Sequence, residues 1–263
     1  MRSLVVLAAV VAALAAVTPA HAAAPVVIVD EEGDSEDAPD IVRVDATRAR
    51  GAIVFAVRFA GAPTLAHDAE LVSILLDADR DETTGPEGTE LAVRADAAGA
   101  RLEAWEDALW QEVAGAPVRA SYAGAVLTVT LGRAALRGSR GFDFTVVASE
   151  GDLDLEGTSD NAPEIEPASF ALPGIARVTA TIAAVRAGRR AVAAVGVVLS
   201  DGSREHPTTL ACTARLRGRV LARSGACAWR LPATAKGATL VVTVHVTWEG
   251  EMAPPLTRRV RVR

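Results

Sequence analysis

The sequence predicts an all-β protein of two domains, an N-terminal antiparallel β-sandwich and a smaller C-terminal sandwich. Three observations predict it. Short stretches that alternate or run β-branched and apolar recur along the chain, turn residues separate them at close spacing, and helical periodicity is nearly absent. The composition agrees: 263 residues, 50% hydrophobic and 23% charged, are too apolar for a disordered chain, and 2 Cys are too few for a disulfide miniprotein. At about 150 residues per domain the length suits one or two domains, each able to bury a core. Arg outnumbers Lys 26 to 1 and Ala is abundant, a bias we read as a GC-rich coding sequence, so alanine runs are weak evidence for helix.

The first 22 residues stand apart. Arg2 precedes an apolar run from Leu4 to Val17, and Thr18-Pro19-Ala20-His21-Ala22 places small residues at the positions a signal peptidase reads. This predicts a secretory signal over 1–22, cleaved after Ala22. The run is shorter than the roughly 20 residues a membrane span needs. No other segment approaches that length without a charge, so the mature chain is expected to be soluble, outside the cytoplasm and free of membrane spans.

Strand expectations follow in order. Ile41 to Val44, Ile53 to Phe59, Leu71 to Leu76, Leu91 to Arg94, Ala125 to Leu131 and Phe142 to Ala148 carry the strand signal. Arg50-Gly51, Thr84-Gly85-Pro86-Glu87-Gly88, Ala98-Gly99, Ala123-Gly124 and Gly138 to Gly141 supply the turns, and only Arg133 to Leu136 reads as a helical turn. The second half repeats the style with Val178 to Ala184, Ala191 to Leu199, Thr208 to Leu216, Cys227 to Leu231, Thr239 to Trp248 and Leu256 to Val262. About 90 residues with six or seven strands suit a small sandwich of the immunoglobulin kind.

Charge places the boundary between them. Val26 to Leu172 holds 29 acids against 11 Arg, net −18, whereas Pro173 to Arg263 holds 4 acids against 15 bases, net +11. The division is therefore 23–172 and 173–263. The acidic half attracts cations and the basic half acidic polymers, unless the two face and screen one another. A nucleic-acid partner is not expected, because the C-terminal Arg residues alternate with apolar ones and no groove-reading helix or aromatic platform is present.

Three acidic segments and one cysteine pair carry candidate chemistry. Asp77-Ala78-Asp79-Arg80-Asp81 puts carboxylates at alternate positions of a loop, as a hard cation such as calcium requires. It is not an EF-hand, since Glu82 and Gly88 stand where Gly and Glu belong. The other reading is an acidic turn whose Asp side chains bond nearby backbone N–H groups. Asp30 to Asp40 holds seven acids in eleven residues, either solvated or neutralised by calcium, and Asp160-Asn161-Ala162-Pro163-Glu164 is a third oxygen-rich loop. Cys212 and Cys227, in an exported chain, are expected to form a disulfide across a hairpin, with Leu210, Cys212, Ala214 and Leu216 on one inward face and Cys227, Trp229 and Leu231 on the other.

Taken in order, Asp34…Ala38-Pro39-Asp40-Ile41, Leu76-Asp77-Ala78-Asp79, Thr84-Gly85, Trp105-Glu106-Asp107-Ala108-Leu109-Trp110, Arg133-Ala134-Ala135-Leu136 and Asp160-Asn161-Ala162-Pro163 resemble the jelly-roll-like sandwich domains related to DOMON and family-nine carbohydrate-binding modules. The resemblance covers about residues 26 to 172 and implies sugar binding, haem binding or no small ligand. Haem needs axial Met or His; Met252 lies outside this domain and His67 is its only His after signal removal. Sugar binding needs aromatic faces, which Trp105 and Trp110 can offer from adjacent strands of a hairpin; the other reading is a cross-strand packing pair. Cys227-Ala228-Trp229-Arg230-Leu231-Pro232, Lys236-Gly237 and Thr239 to Val246 resemble an immunoglobulin-like module, which implies a spacer or adhesion role.

No G-x-S-x-G, P-loop, G-x-G-x-x-G after a strand or H-E-x-x-H occurs, and His67, His206 and His245 are scattered. The expectation is a secreted, non-catalytic binding or adhesion protein, its ligand a carbohydrate or cell-wall polymer, with calcium at Asp77, Asp79, Asp81 and Asp160. The alternatives are a purely structural envelope protein and a carboxylate-pair glycoside hydrolase.

Overall fold

Burial alternates along most strands and so decides which side chains face each core. The computed structural model describes residues 25–35, 38–62, 70–136, 138–150 and 159–263. The expected signal over 1–22 and His67 lie outside the described residues. The described chain is all-β, and its sheets are antiparallel throughout.

The first module comprises β1 (Val26–Val29), β2 (Ile41–Ala49), β3 (Ala52–Phe59), β4 (Glu70–Asp77), β5 (Leu91–Asp96), β6 (Gly99–Glu106), β7 (Leu109–Glu112), β8 (Val118–Ala123), β9 (Val126–Gly132), β10 (Gly141–Glu150), β11 (Ser159–Ala162) and β12 (Ala168–Ala171). One sheet runs β1-β2-β3-β9-β8; the other runs β11-β10-β4-β5-β6-β7, with β12 also paired to β10. Ile53, Phe55, Val57 and Phe59 of β3 point into the space between the sheets, opposite Phe142, Phe144, Val146 and Ala148 of β10. Phe55 meets Phe144 edge-on at 5.3 Å, and Phe142 stacks on Phe170 at 5.2 Å, the favoured geometries of buried rings. Strand β6 was expected only around Trp105, in the hairpin with Trp110, and not over its full length. Its inward positions include Ala100 and Ala104, too small to stand out in an alanine-rich sequence.

The second module comprises β13 (Ile175–Ile182), β14 (Arg190–Leu199), β15 (Arg204–Glu205), β16 (Thr209–Leu216), β17 (Arg219–Ser224), β18 (Ala228–Arg230), β19 (Thr239–Trp248), β20 (Glu251–Met252) and β21 (Leu256–Arg261). Strands β13-β14-β15, with β18 on β14, form one layer; β17-β16-β19-β20, with β21 on β19, form the other. Cys212 and Cys227 form the expected disulfide, but not across a hairpin. The hairpin partner of β16 is β17, while Cys227 sits at positive φ just before β18, and its carbonyl accepts from Ala193 N–H. The bond therefore ties the two layers together. The residues from 219 to 224 form a strand of their own, β17, because Arg-Val-Leu-Ala-Arg-Ser pairs back on β16 immediately after the turn at Arg217 and Gly218, both at positive φ.

The two halves meet through an inversion of their net charges. Arg133 of the acidic module donates to Glu249 at 2.7 Å and to the Pro173 carbonyl at 3.0 Å, and its guanidinium lies 4.7 Å from the Trp248 ring. Arg48 approaches Glu205 at 3.3 Å and Asp201 at 3.7 Å and also faces Trp248, while Arg140 pairs with Glu251 at 2.7 Å. Glu249 also accepts from Gly51 N–H at 2.7 Å. The cations come from the acidic half and the acids from the basic half. Screening of one half's bulk charge by the other, one of the sequence readings, does not describe this junction.

Candidate functional site

The three acidic segments resolve into two clusters at opposite ends of one sheet. Strand β10 sets the separation. Asp143 of β10 is opposite Asp77 of β4, whereas Ala148, five residues on, is opposite Asp160 of β11, about 17 Å along the strand. Asp160 therefore does not join Asp77, Asp79 and Asp81.

The first cluster is built by a turn that saturates its own carboxylates. Asp77 accepts from the Arg80 N–H at 2.5 Å, Asp79 from the Asp81 N–H at 3.0 Å and Thr84 hydroxyl at 3.1 Å, and Asp81 from the Thr83 N–H and hydroxyl at 3.0 and 2.6 Å. These are Asx-type bonds, the second of the two sequence readings. Gly85 has φ 68°, and an added Cβ would lie 1.9 Å from the Thr89 carbonyl oxygen, so the turn requires glycine there. Sequence reasoning missed Glu90, one residue before β5. It accepts from Ala78 N–H at 2.8 Å and from the Thr84 hydroxyl at 3.0 Å, and joins Asp77 and Asp79 with carboxylate oxygens within 4.8 Å of one another. Burial, reinforced by a hydrogen bond to Asp79, pushes the Glu90 carboxyl up, and that same bond holds Asp79 down. Of the two, Glu90 holds a proton the more tightly. Asp81 turns away to Thr83.

The second cluster draws on three chain segments. Asp30 follows β1, Asp34 lies in the next turn, and Asp40 precedes β2 and accepts from the Gly33 N–H at 2.8 Å. Asp160 on β11 is 4% exposed and accepts the Ile41 N–H at 2.5 Å; Glu164 follows the cis Ala162-Pro163 bond. Asp30, Asp34 and Glu164 bring carboxylate oxygens within 4.8 Å of one another, as do Asp34, Asp40 and Asp160. Asp34 belongs to both groups. Asp30 Oδ2 and Asp40 Oδ1 are buried without a hydrogen-bond partner. Burial first, and then the neighbouring carboxylates, push both Asp30 and Asp160 up to about 6. Carboxylates this close repel one another unless protons or a cation offset their charge.

The sign of the resulting pH dependence is fixed. Both groups bind protons more tightly in the folded chain than at their ordinary value of 3.8, so the stability they contribute is complete below that value and is lost as pH rises through about 6. In thermal unfolding monitored by circular dichroism, the metal-free protein is expected to melt lower at about pH 7.5 than at about pH 5. Asp160→Asn should flatten that slope; an unchanged slope would remove Asp160 from its origin.

Trp105 and Trp110 are cross-strand partners on the β6–β7 hairpin, whose two turn residues, Asp107 and Ala108, both have positive φ as a two-residue turn demands. The rings meet edge to face at 5.3 Å, and Arg94, held by Glu103 at 2.6 Å, lies 5.7 Å over Trp110. This is a packing pair on the outer face of the sheet, half-buried on both sides. Trp105 nevertheless borders a cavity of about 490 Å³ with Asp79, Glu90, Leu91 and Ser139. A larger groove of about 780 Å³ crosses the outer face of β4 and β10, from Asp77 and Glu87 at one end to Asn161 and Glu164 at the other. It connects the two acidic clusters.

Fold and site together define a two-module β-sandwich chain with carboxylate-rich loops. No protein family and no curated protein sequence matches it. Among solved structures, it is similar to the adhesin domain of Epf from Streptococcus pyogenes, at 10% identity and TM-score 0.22, over 88% of this chain and 82% of that one. It is also similar to the glycoside hydrolase domain of Endo-D from Streptococcus pneumoniae R6, at 12% identity and TM-score 0.18, over 90% of this chain and 37% of that one. Likenesses at these TM-scores carry no argument about this chain. No described helix is long and apolar enough to cross a membrane.

Proposed function

We propose that this chain is a secreted, non-catalytic binding or adhesion protein whose acidic sandwich is completed by calcium and whose ligand is a carbohydrate or cell-wall polymer. The observation that carries the reading is the convergence of Asp30, Asp34, Asp40, Asp160 and Glu164, with two buried oxygens lacking any partner. Calcium takes six to eight oxygens in adaptable geometry, and five carboxylates, some able to bind through both oxygens, fit that demand better than they fit magnesium or zinc. Bound there, it would offset part of the cluster's charge and join the segment before β2 to the loop after β11. The ligand surface is then the groove and the cavity that Trp105 borders, where carboxylates accept from sugar hydroxyls.

Two observations support a non-catalytic role. Asp79 and Glu90 bring carboxylate oxygens within 4.8 Å of one another, whereas a hydrolytic carboxylate pair stands at least about 5 Å apart so that substrate or water fits between. Both Glu90 oxygens are also engaged by the turn. The disulfide accords with an oxidising compartment, and the sandwich accords with the resemblance to DOMON and family-nine carbohydrate-binding domains.

Calorimetric titration of the chelator-treated protein with calcium is the test. Heat of binding is expected, with a gain of about 2.7 kcal/mol when calcium reaches a hundredfold excess over its dissociation constant, and Asp34→Asn with Asp160→Asn should abolish it. No heat and no change in melting at millimolar calcium would remove the calcium reading. Tryptophan fluorescence against a panel of glycans tests the ligand. A flat response to all of them favours the structural envelope protein, and turnover of chromogenic glycosides would favour the hydrolase.

A further inference from the structure

The inverted junction leaves one module without a free acid. The four acids of residues 173–263 are Asp201, Glu205, Glu249 and Glu251, and every one of them contacts Arg48, Arg133 or Arg140 of the other module. The rest of that module's surface carries 15 basic residues and nothing to offset them.

The outer face of the sheet β17-β16-β19-β21 presents them in rows. Arg215 is opposite Val220 on one side and Val241 on the other, and Val241 is opposite Arg259. The neighbouring row reads Arg223, Thr213, Thr243, Thr257, and Thr239 beside Arg261 flanks the first. The Thr243 and Thr257 hydroxyls lie 3.3 Å apart on this face. Arg215, Arg223, Arg259 and Arg261 are all exposed. Arg259 and Arg261 stand about 7 Å apart along one strand, and Arg215 is about 10 Å from Arg259 across β19.

Guanidinium forks bind carboxylates through two hydrogen bonds, and threonine hydroxyls between them suit a partner that carries hydroxyl groups as well as charge. The face is a sheet with no Trp, Tyr or Phe for a base to stack on, only His245 beyond the threonine row, and no helix for a groove, so a nucleic acid is the poorer match. The acidic module, at net −18, repels a polyanion and confines contact to this end. We propose that this face binds a linear acidic polysaccharide, its uronate carboxylates taken by Arg215, Arg223, Arg259 and Arg261 and its hydroxyls by the threonine row. The site goes beyond the calcium-completed sandwich, lies in the other module and needs no calcium.

The test is binding of the full mature chain to immobilised polygalacturonate with a calcium chelator present, so that its outcome is independent of the calcium reading. Binding is expected at low ionic strength and should weaken steeply as salt shortens the screening length from about 30 Å at 0.01 M to about 8 Å at 0.15 M. Arg215→Glu with Arg259→Glu should lower affinity by about tenfold or more. Arg190→Glu with Arg230→Glu, a cross-strand pair in the opposite layer, should leave it within about twofold. Should the first variant fail to fold, Arg215→Gln with Arg259→Gln carries the same expectation with a smaller loss. Absence of binding at low salt, an equal loss in the control pair, or tighter binding of polyphosphate or single-stranded DNA than of polygalacturonate overturns the proposal.

Discussion

Arg133→Ala is expected to destabilise the protein by about 3–5 kcal/mol, because it strands a buried carboxylate. The Arg133 and Glu249 side chains are 9% and 8% exposed, and their 2.7 Å ion pair lies against Trp248, itself 3% exposed. Removal of the guanidinium leaves Glu249 with the Gly51 N–H and no cation, uncovers the indole, and frees the Pro173 carbonyl at the start of the second module. Urea unfolding should show the loss as a lower midpoint. Arg133→Met combined with Glu249→Leu should be milder than Arg133→Ala, since replacing both partners leaves no charge buried alone. A cost below about 1 kcal/mol would class the pair with solvent-screened surface bridges.

Cys212→Ala with Cys227→Ala is expected to cost about 3 kcal/mol, the chain-entropy value for a loop of this length. The cystine closes 15 residues and joins the two layers of the second module, with both sulfur-bearing residues essentially buried. The cores are separate clusters, one from Ile28 to Leu172 and the other from Val185 to Val262, so the loss should fall on the C-terminal module. Scanning calorimetry of the reduced or double-alanine protein should therefore shift one transition and spare the other. A uniform shift of both would mean that the junction couples the modules into one cooperative unit.

Much of the fold was legible because its signal is local. Period-two alternation in Ile53 to Phe59 and Thr239 to Trp248 is a property of a few neighbouring residues, and both segments are strands almost to the expected bounds. Where inward residues are alanine, as at Ala100 and Ala104 of β6, the alternation lacks contrast, and only the hairpin around Trp105 and Trp110 was legible. The disulfide pairing followed from there being two cysteines, but its path did not, because β17 intervenes as an unrecognised strand.

The candidate site was legible only in its parts. Each acidic segment is conspicuous, yet nothing local distinguishes Asp160, which meets Asp34 and Asp40, from Asp77, which meets Glu90. That choice is made by the register of β4 and β11 on β10, which fixes which loop ends share a side of the sheet. The charge asymmetry of the two halves was likewise plain in the composition, whereas the inversion at their junction was not. By itself, then, the amino-acid order determined the class of fold, the opposite charges of its two halves and the cystine, all of which depend on residue type and near neighbours. Strand pairing over separations of up to 80 residues, and side-chain contacts between segments more than a hundred apart, decided which acids crowd together, which are neutralised by arginine, and which faces stay bare, because contact between distant segments is a property of topology and is written in no short stretch of chain.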